Sequence, residues 1–378
     1  MKITIPKQPN SSITEEITLE LGDYTILAGE NNSGKTNLIR AIKDHKDLKT
    51  YKKIFVPAEH IQPQNEETKN SAAKTEFYKL LKIILEPIFD KKLLKDLTDK
   101  FNNSEDKKDF VSSVNKIIED FGVEKKKFDV EIAEDEFKEE LIIKITKAFV
   151  KDLYKTDVDK VDFENIGMGT QRLIVAALIR YYQEKEIGKS EEVLIIFEEP
   201  EVYLHPKWKK GLYDSLLKLS GREKTKVLIT THDPYFIELG KNQKIYQVYR
   251  NPDKKDATAI RPTDNSVLLS FKSDSEINYS VYDLPTIEFH NELYGHIQEL
   301  QQKYTIDQAE TYFVSKGITK SKKWTAIVGG QTQKPEDVTL MTFVRHSIHH
   351  PENTSNGRYT PQELKSSIDE LIKLIKTP

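Results

Sequence analysis

The chain has 378 residues, 37% hydrophobic and 31% charged, with a formal net charge of −3. No apolar run approaches the ~20 residues that span a bilayer, and the absence of cysteine excludes disulfides, thiolate zinc sites and a cysteine nucleophile. The balanced charge gives no global pull toward nucleic acid, so any DNA or RNA contact has to be local. The start MKITIPKQ lacks the apolar segment of a secretory signal, and the expected location is the cytoplasm.

Residues 2–5 and 13–20 alternate apolar and polar, which predicts half-buried strands. Tyr24–Ala28 is a short apolar run and reads as a buried strand. GENNSGKT follows from Gly29 to Thr36 and fits G-x-x-x-x-G-K-[ST]. In such a turn Gly29, Asn32, Ser33 and Gly34 bring backbone amides around phosphate groups. Lys35 reaches the β- and γ-phosphates, and the Thr36 hydroxyl holds magnesium. A helix that starts near Lys35 and runs on through Asn37 adds its positive end to the anion site.

Ile54–Val56 reads as a further strand, ended by Pro57. From about Glu66 to Asp120 the pattern is helical, with FYKLLKIILEPIF at 77–89 and FVSSVNKIIEDF at 110–121. This stretch is lysine-rich. Its plain reading is a solvated helical insertion over about 66–125, and the sharper alternative is a partner-binding arm. Strand patterns return at 128–132 and 141–145.

NIGMGTQR at 165–172 opens a helix predicted over 171–183. Two glycines before a helix start make a second anion site, although one Gly-x-Gly alone is weak evidence. VLIIFEEPEVYLHP then spans 193–206. A buried strand runs into Glu198, Glu199, a proline and Glu201. Acids at the carboxyl end of a central strand sit where open α/β sheets bind ligands. Two adjacent glutamates there suit magnesium and water chemistry on a nucleotide. A helix over 207–219 follows, and the strand VLITT at 227–231 ends in His232-Asp233. A histidine at that position can sense the γ-phosphate or polarise the attacking water. Alternating strands and helices predict a largely parallel sheet. Beyond Tyr246–Arg250 the chain reads as polar and irregular to about Asp283. The remainder reads as helical, with breaks at Pro335 and Pro351.

With these motifs the chain resembles the ABC-class ATPases, in the branch that contains SMC proteins, RecF and OLD-type defence ATPases. GENNSGKT is similar to Walker A, GMGTQR to the signature loop, VLIIFEE to Walker B, PEVYLHP to the D-loop region, and TTHD to the switch histidine. They follow the family's order over roughly residues 1–250. The resemblance implies two ATP molecules between two protomers in a homodimer or higher oligomer, each signature loop capping the partner's γ-phosphate. It implies ATP and Mg2+ as cofactors. Lys35 and Thr36 would bind phosphate and magnesium, Glu198 would support magnesium through water, Glu199 would be the general base, and His232 the switch. Gly167, Gly169 and Gln171 would complete the opposite site. Gln62 and Gln64 both stand near the expected Q-loop glutamine, a further magnesium contact. Two departures imply slow hydrolysis and a switch rather than a motor. Glu198 replaces the usual aspartate, and Met168 replaces the signature serine.

The resulting expectation is an α/β, ABC-type P-loop domain over 1–282 with a helical insertion, followed by a small all-α domain over 283–378. In that tail Arg345 and His350 fit R-x4-H, which resembles the catalytic motif of HEPN ribonucleases. Arginine would stabilise phosphorane charge and histidine would move protons, without metal. An R-x(4–6)-H match arises about once per chain of this size by chance, and Arg40-x4-His45 is a second copy. His346, His349 and His350 are alternative metal ligands. Three functions follow. The first is a regulatory ATPase of prokaryotic antiphage defence, similar to Septu-type (PtuA) and retron-associated ATPases, with a nuclease supplied by a partner. The second is a self-contained ribonuclease gated by ATP, as in anticodon nucleases related to PrrC. The third is DNA maintenance of the RecF or SMC kind, weakened by the lack of sustained heptads.

Overall fold

The computed structural model describes residues 1–58, 80–81, 84, 103–123, 126–132, 146–152, 161–186, 192–271 and 273–377. The expected strand at 141–145, the helix at 77–89 beyond Leu80, Leu81 and Ile84, and both Gln62 and Gln64 lie outside them.

The chain forms two units, one of residues 1–237 and 242–262, the other of 238–241 and 263–378. The first is built on a six-stranded sheet. It begins with a hairpin of β1 (Lys2–Ile5) and β2 (Ile17–Glu20), in which Ile3 faces Leu19 and Ile5 faces Ile17. Next come β3 (Tyr24–Ala28), α1 (Lys35–Lys43) and β4 (Lys52–Val56). The later sheet strands are β8 (Val193–Glu198), β9 (Thr225–Thr231), β10 (Lys244–Asn251) and β11 (Ala257–Pro262). Their order is β11-β10-β3-β9-β8-β4. All neighbours are parallel except the edge strand β11.

β3 and β8 are buried at every residue, as continuous apolar runs covered on both faces should be. Side chains alternate between two cores. Leu27, Leu194, Ile196 and Leu228 pack with α1 and the β1–β2 hairpin. On the other face Tyr24 meets Tyr213 edge-to-face at 6.3 Å. Tyr213 lies on α4 (Pro206–Ser220), whose start explains the Leu-His-Pro sequence: the His205 ring accepts from the Lys207 amide at 3.2 Å, and Pro206 takes the first helical position. This tripeptide is a helix start, so the sequence feature serves architecture.

The middle of the chain adds α2 (Glu105–Asp120), a three-stranded antiparallel sheet of β5 (Lys126–Ile132), β6 (Thr146–Asp152) and β7 (Val161–Asp162), and α3 (Met168–Glu186). α2 is not a solvated rod. It buries Phe110, Val114, Ile117 and Ile118, and Phe110 packs on Tyr181 of α3 at 4.8 Å and on Phe128 at 6.0 Å. Each such side chain contributes roughly 1.5–3 kcal/mol by leaving water. Asn115 brackets Phe128, donating to its carbonyl at 2.8 Å and accepting from its amide at 2.6 Å.

The second unit holds α5 (Asp274–Tyr282), α6 (Ile287–Leu300), α7 (Ile306–Ser315), α8 (Leu340–His349) and α9 (Pro361–Lys376). Phe289, Leu293, Tyr294, Phe313, Met341, Ile368 and Leu371 form its core. Two corrections apply to the expected tail. It is not all-α, because β12 (Lys322–Trp324) pairs with β15 (Glu336–Val338), and β13 (Ile327–Val328) turns through Gly329-Gly330 into β14 (Gln331–Thr332). Both glycines have positive φ, which that two-residue turn requires. The break between units falls at 262–263, not 282–283. Tyr279 of α5 packs on Phe289 and bonds Asp369, which ties this segment to the helices that follow. The stretch read as irregular also contains β11 and α5. Ser273 caps α5 by accepting from the Glu276 amide, an S-x-x-E start signal visible in the sequence.

Candidate functional site

The carboxyl ends of β3, β8 and β9 bring the predicted residues together. After β3 the chain turns at Asn32, with φ 63°, and at Gly34, with φ 103°. A Cβ on Gly34 would lie 2.0 Å from Thr258 Oγ1, and one on Gly29 would lie 2.2 Å from the Val248 carbonyl. Only glycine fits either place. Ser12, Asn37 and Thr258 brace this turn: Thr258 Oγ1 lies 2.7 Å from Ser12 Oγ and donates to the Ser33 carbonyl, and Asn37 donates to Ser12. Arg250 donates to the Asn32 carbonyl at 2.6 Å. The Ser33 hydroxyl is buried with no hydrogen-bond partner.

Lys35 is 5% exposed and its ammonium donates to the Gly29 and Glu30 carbonyls at 2.8 and 2.9 Å. It also lies 3.5 Å from Glu199 Oε1. Burial lowers its pKa, and the Glu199 charge opposes that shift. Thr36 is exposed beside it, at the start of α1. The turn therefore fits a polyphosphate. It offers a glycine-permitted backbone curl, a helix start, a buried cation and an orphaned hydroxyl. A cavity of about 850 Å3 between the hairpin and α1 is lined in part by Pro6, Ser11, Asn37 and Arg40.

β8 ends in the three acids, and they separate. Glu198 is buried, and its carboxylate accepts from the Ala58 amide at 3.3 Å. Glu199 adopts φ 42°, and its amide is held at Thr230. That left-handed turn aims its carboxylate at Lys35 and at His232 Nδ1, 3.7 Å away. Glu201 returns beneath the end of β9, where Oε1 accepts from Thr231 Oγ1 at 2.8 Å and from the His232 amide at 2.9 Å. Burial raises its pKa, while the bonds from His232 and Thr231 act in the opposite direction. Thr36 and Glu198 are the residues that would hold a magnesium ion. Glu199 and His232 stand where water would be activated.

The second glycine loop is divided. Gly167 is exposed with nothing near its Cβ position. Gly169 packs against the Tyr203 carbonyl, where a Cβ would sit at 2.4 Å. Gln171 departs from its expected role. Its amide is buried and donates to the Phe163 and Ile166 carbonyls at 3.0 and 2.9 Å, so it shapes the loop from within.

Sequence reasoning missed Arg172, the next residue. It is fully buried, and its guanidinium donates to the carbonyls of Pro57, Ala58, Glu198 and Glu199. It thus joins α3 to the ends of β4 and β8. Burial pushes its pKa down to about 10 against the pull of Glu201, Glu199 and Glu198, so it stays charged at neutral pH. An arginine directly ahead of the apolar run at 173–179 was the available signal. Asp233 is structural: it caps the turn at Pro234–Phe236 and pairs with Lys209.

The tail motif is arranged differently from R-x4-H. Arg345 contacts His349 Nε2 at 3.3 Å and lies 4.7 Å above the Tyr294 ring. His350 is past the helix end, with Nδ1 3.4 Å from Glu352. His346 stacks on Trp324 at 4.9 Å, and burial pushes its pKa down to about 4. Among the described residues no group of three His, Asp or Glu side chains is placed to hold a metal ion, which goes against the three-histidine alternative. No described helix is long and apolar enough to cross a membrane.

The family described as AAA ATPase domain matches residues 59–237. That stretch takes in the Gly167–Gln171 loop, the three acids and His232, and begins beyond the phosphate turn. Over 106 residues the chain is 26% identical to the OLD nuclease of Thermus scotoductus (strain ATCC 700910 / SA-01), covering 28% of this chain and 20% of that one. Over 127 residues it is 31% identical to the Old nuclease of Escherichia phage P2, covering 32% and 21%. The chain spans about a fifth of the length of these curated relatives. Among solved structures, the Smc head domain with an extended coiled coil bound to the C-terminal domain of ScpA, from Pyrococcus furiosus, is similar at 11% identity. It aligns with TM-score 0.43 over 70% of this chain and 97% of that one. With the phosphate turn, the acid-ended strand and the match to an AAA ATPase domain over residues 59–237, the chain is an ATPase.

Proposed function

We propose that this ATPase is a slow, ATP-gated switch of prokaryotic antiphage defence, which pairs with a second copy on ATP and controls a nuclease supplied by a partner. The observation that carries the reading is the convergence of Lys35, Glu199 and His232 at one end of the sheet. The exposed Gly167 lies on a separate loop. Such a loop suits capping a nucleotide held by another copy. Glu199 takes the proton of the attacking water in this reading, and Lys35 leaves its present acceptors for the phosphates. Glu198, engaged by the Ala58 amide, supports magnesium from a buried position.

The partial similarity to nucleases of the OLD name supports a nuclease link. A ribonuclease made by Arg345 and His350 within this chain is the weaker reading, because Arg345 meets His349 and His350 meets Glu352. Two assays on one preparation test the proposal. Glu199→Gln should lower ATP turnover about 100-fold and leave ATP affinity within about twofold. An unaltered rate refutes the base assignment. Purified protein should leave RNA intact while it hydrolyses ATP. RNA cleavage abolished by Arg345→Ala would overturn the partner-nuclease reading.

A further inference from the structure

Glu201 is the acid that this mechanism leaves without a task. Its side chain is 3% exposed. Burying a carboxylate costs several kcal/mol unless bonds compensate. Oε1 is well served, by the Thr231 hydroxyl at 2.8 Å and the His232 amide at 2.9 Å. Oε2 is buried with no hydrogen-bond partner. A glutamine would supply the same acceptor to Thr231 and His232 without the cost of a charge. The charge acts on the buried Arg172 and on Lys35, and it also faces His232, whose Nδ1 lies 3.3 Å from Oε1. Glu199, the other carboxylate near that nitrogen, is further away at 3.7 Å and is shared with Lys35.

We infer that Glu201 is the positioning residue for His232. It accepts from the main chain of the histidine and sets its carboxylate beside Nδ1, so that Nε2 is the nitrogen presented to the nucleotide. The inference rests on the ATP-site reading above and adds the device that orients one of its groups. A neutral imidazole carries one proton, and its position follows the partner of the other nitrogen. A carboxylate beside Nδ1 keeps the proton there, as the aspartate of a Ser-His-Asp triad does. Nε2 then carries the lone pair on the opposite edge of the ring. The His232 side chain is 42% exposed. Thr231 and the His232 amide fix Glu201 in turn. The left-handed turn at Glu199 is what returns the chain to place it there.

The test separates this role from a structural one. Nitrogen-15 spectra of the full chain, labelled at histidine and recorded at about pH 8 where imidazoles are neutral, should show His232 in the Nδ1–H form. The signal is assigned by its loss in His232→Ala. An Nε2–H form overturns the inference. In steady-state assays Glu201→Gln should lower kcat at least tenfold and leave KM for ATP within twofold. The same change made in His232→Ala should have less than a twofold effect. An unchanged kcat, or an equal loss with and without His232, overturns the inference. If Glu201→Gln does not fold, the spectrum of the unmodified protein still decides. A Glu199→Gln variant with unaltered hydrolysis would instead contradict the ATP-site reading, and it leaves the tautomer result standing.

Discussion

Single residues at this site are held by what surrounds them more than by their own chemistry. Lys35 has three oxygen neighbours, and Glu198 turns to the Ala58 amide while Glu199 and Glu201 both reach His232. Arg172 shows the principle most clearly. Its guanidinium closes four backbone carbonyls from two segments that sequence places more than a hundred residues apart. Arg172→Leu would leave those acceptors buried and unpaired, at about 3 kcal/mol. It should also slow ATP turnover at least tenfold through the loosened end of β8. Denaturant unfolding together with turnover checks both, and a variant as stable and active as the parent would contradict the clamp. The phosphate turn and the acid pair were legible because their chemistry lies in adjacent residues. Arg172 was not, and Glu201 was legible only as a third acid, because their partners belong to other strands. For Gln171 the spacing located the loop, but not the carbonyls of Phe163 and Ile166 that turn its amide inward.

At the scale of elements, the continuous apolar runs and the alternation of strands and helices carried the parallel sheet. Short strands with little apolar content escaped. β11 and the pairs between α7 and α8 present few buried residues, so no period stands out. α5 escaped because its apolar face is only nine residues long, although its cap is readable. The tail also has a measurable electrostatic property. Burial foremost, aided by the Arg345 charge, pushes the pKa of His290 down to about 3; burial likewise depresses His346. The unfolded chain takes up these protons near the ordinary value of 6.5, and the folded one does not. Stability from these neutral histidines is therefore complete above pH 6.5 and is lost as pH falls toward the folded values. The slope for the buried His290 approaches about 1.4 kcal/mol per pH unit, and solvent screening makes that of the part-exposed His346 smaller. Urea unfolding followed by Trp324 in a Trp208→Phe background should show this decline between pH 6.5 and 4. His290→Gln should remove a large part of it, and an unchanged slope would contradict the assignment.

At the scale of the whole molecule, two units with separate cores divide the work. The first carries the phosphate turn, the acid-ended strand and His232, and its Gly167 is exposed. The second carries a helical core and a histidine-rich helix whose arginine engages His349. The order of motifs along the chain made the ATPase unit legible in advance. The boundary was misplaced by twenty residues because α5 looks polar in sequence and declares its allegiance only through Tyr279, Phe289 and Asp369. In the proposed switch, ATP holds two copies together. Sedimentation velocity of Glu199→Gln, with and without ATP and Mg2+, should show a dimer with ATP that Lys35→Ala cannot form. A Glu199→Gln protein that stays monomeric with ATP bound would overturn the proposal.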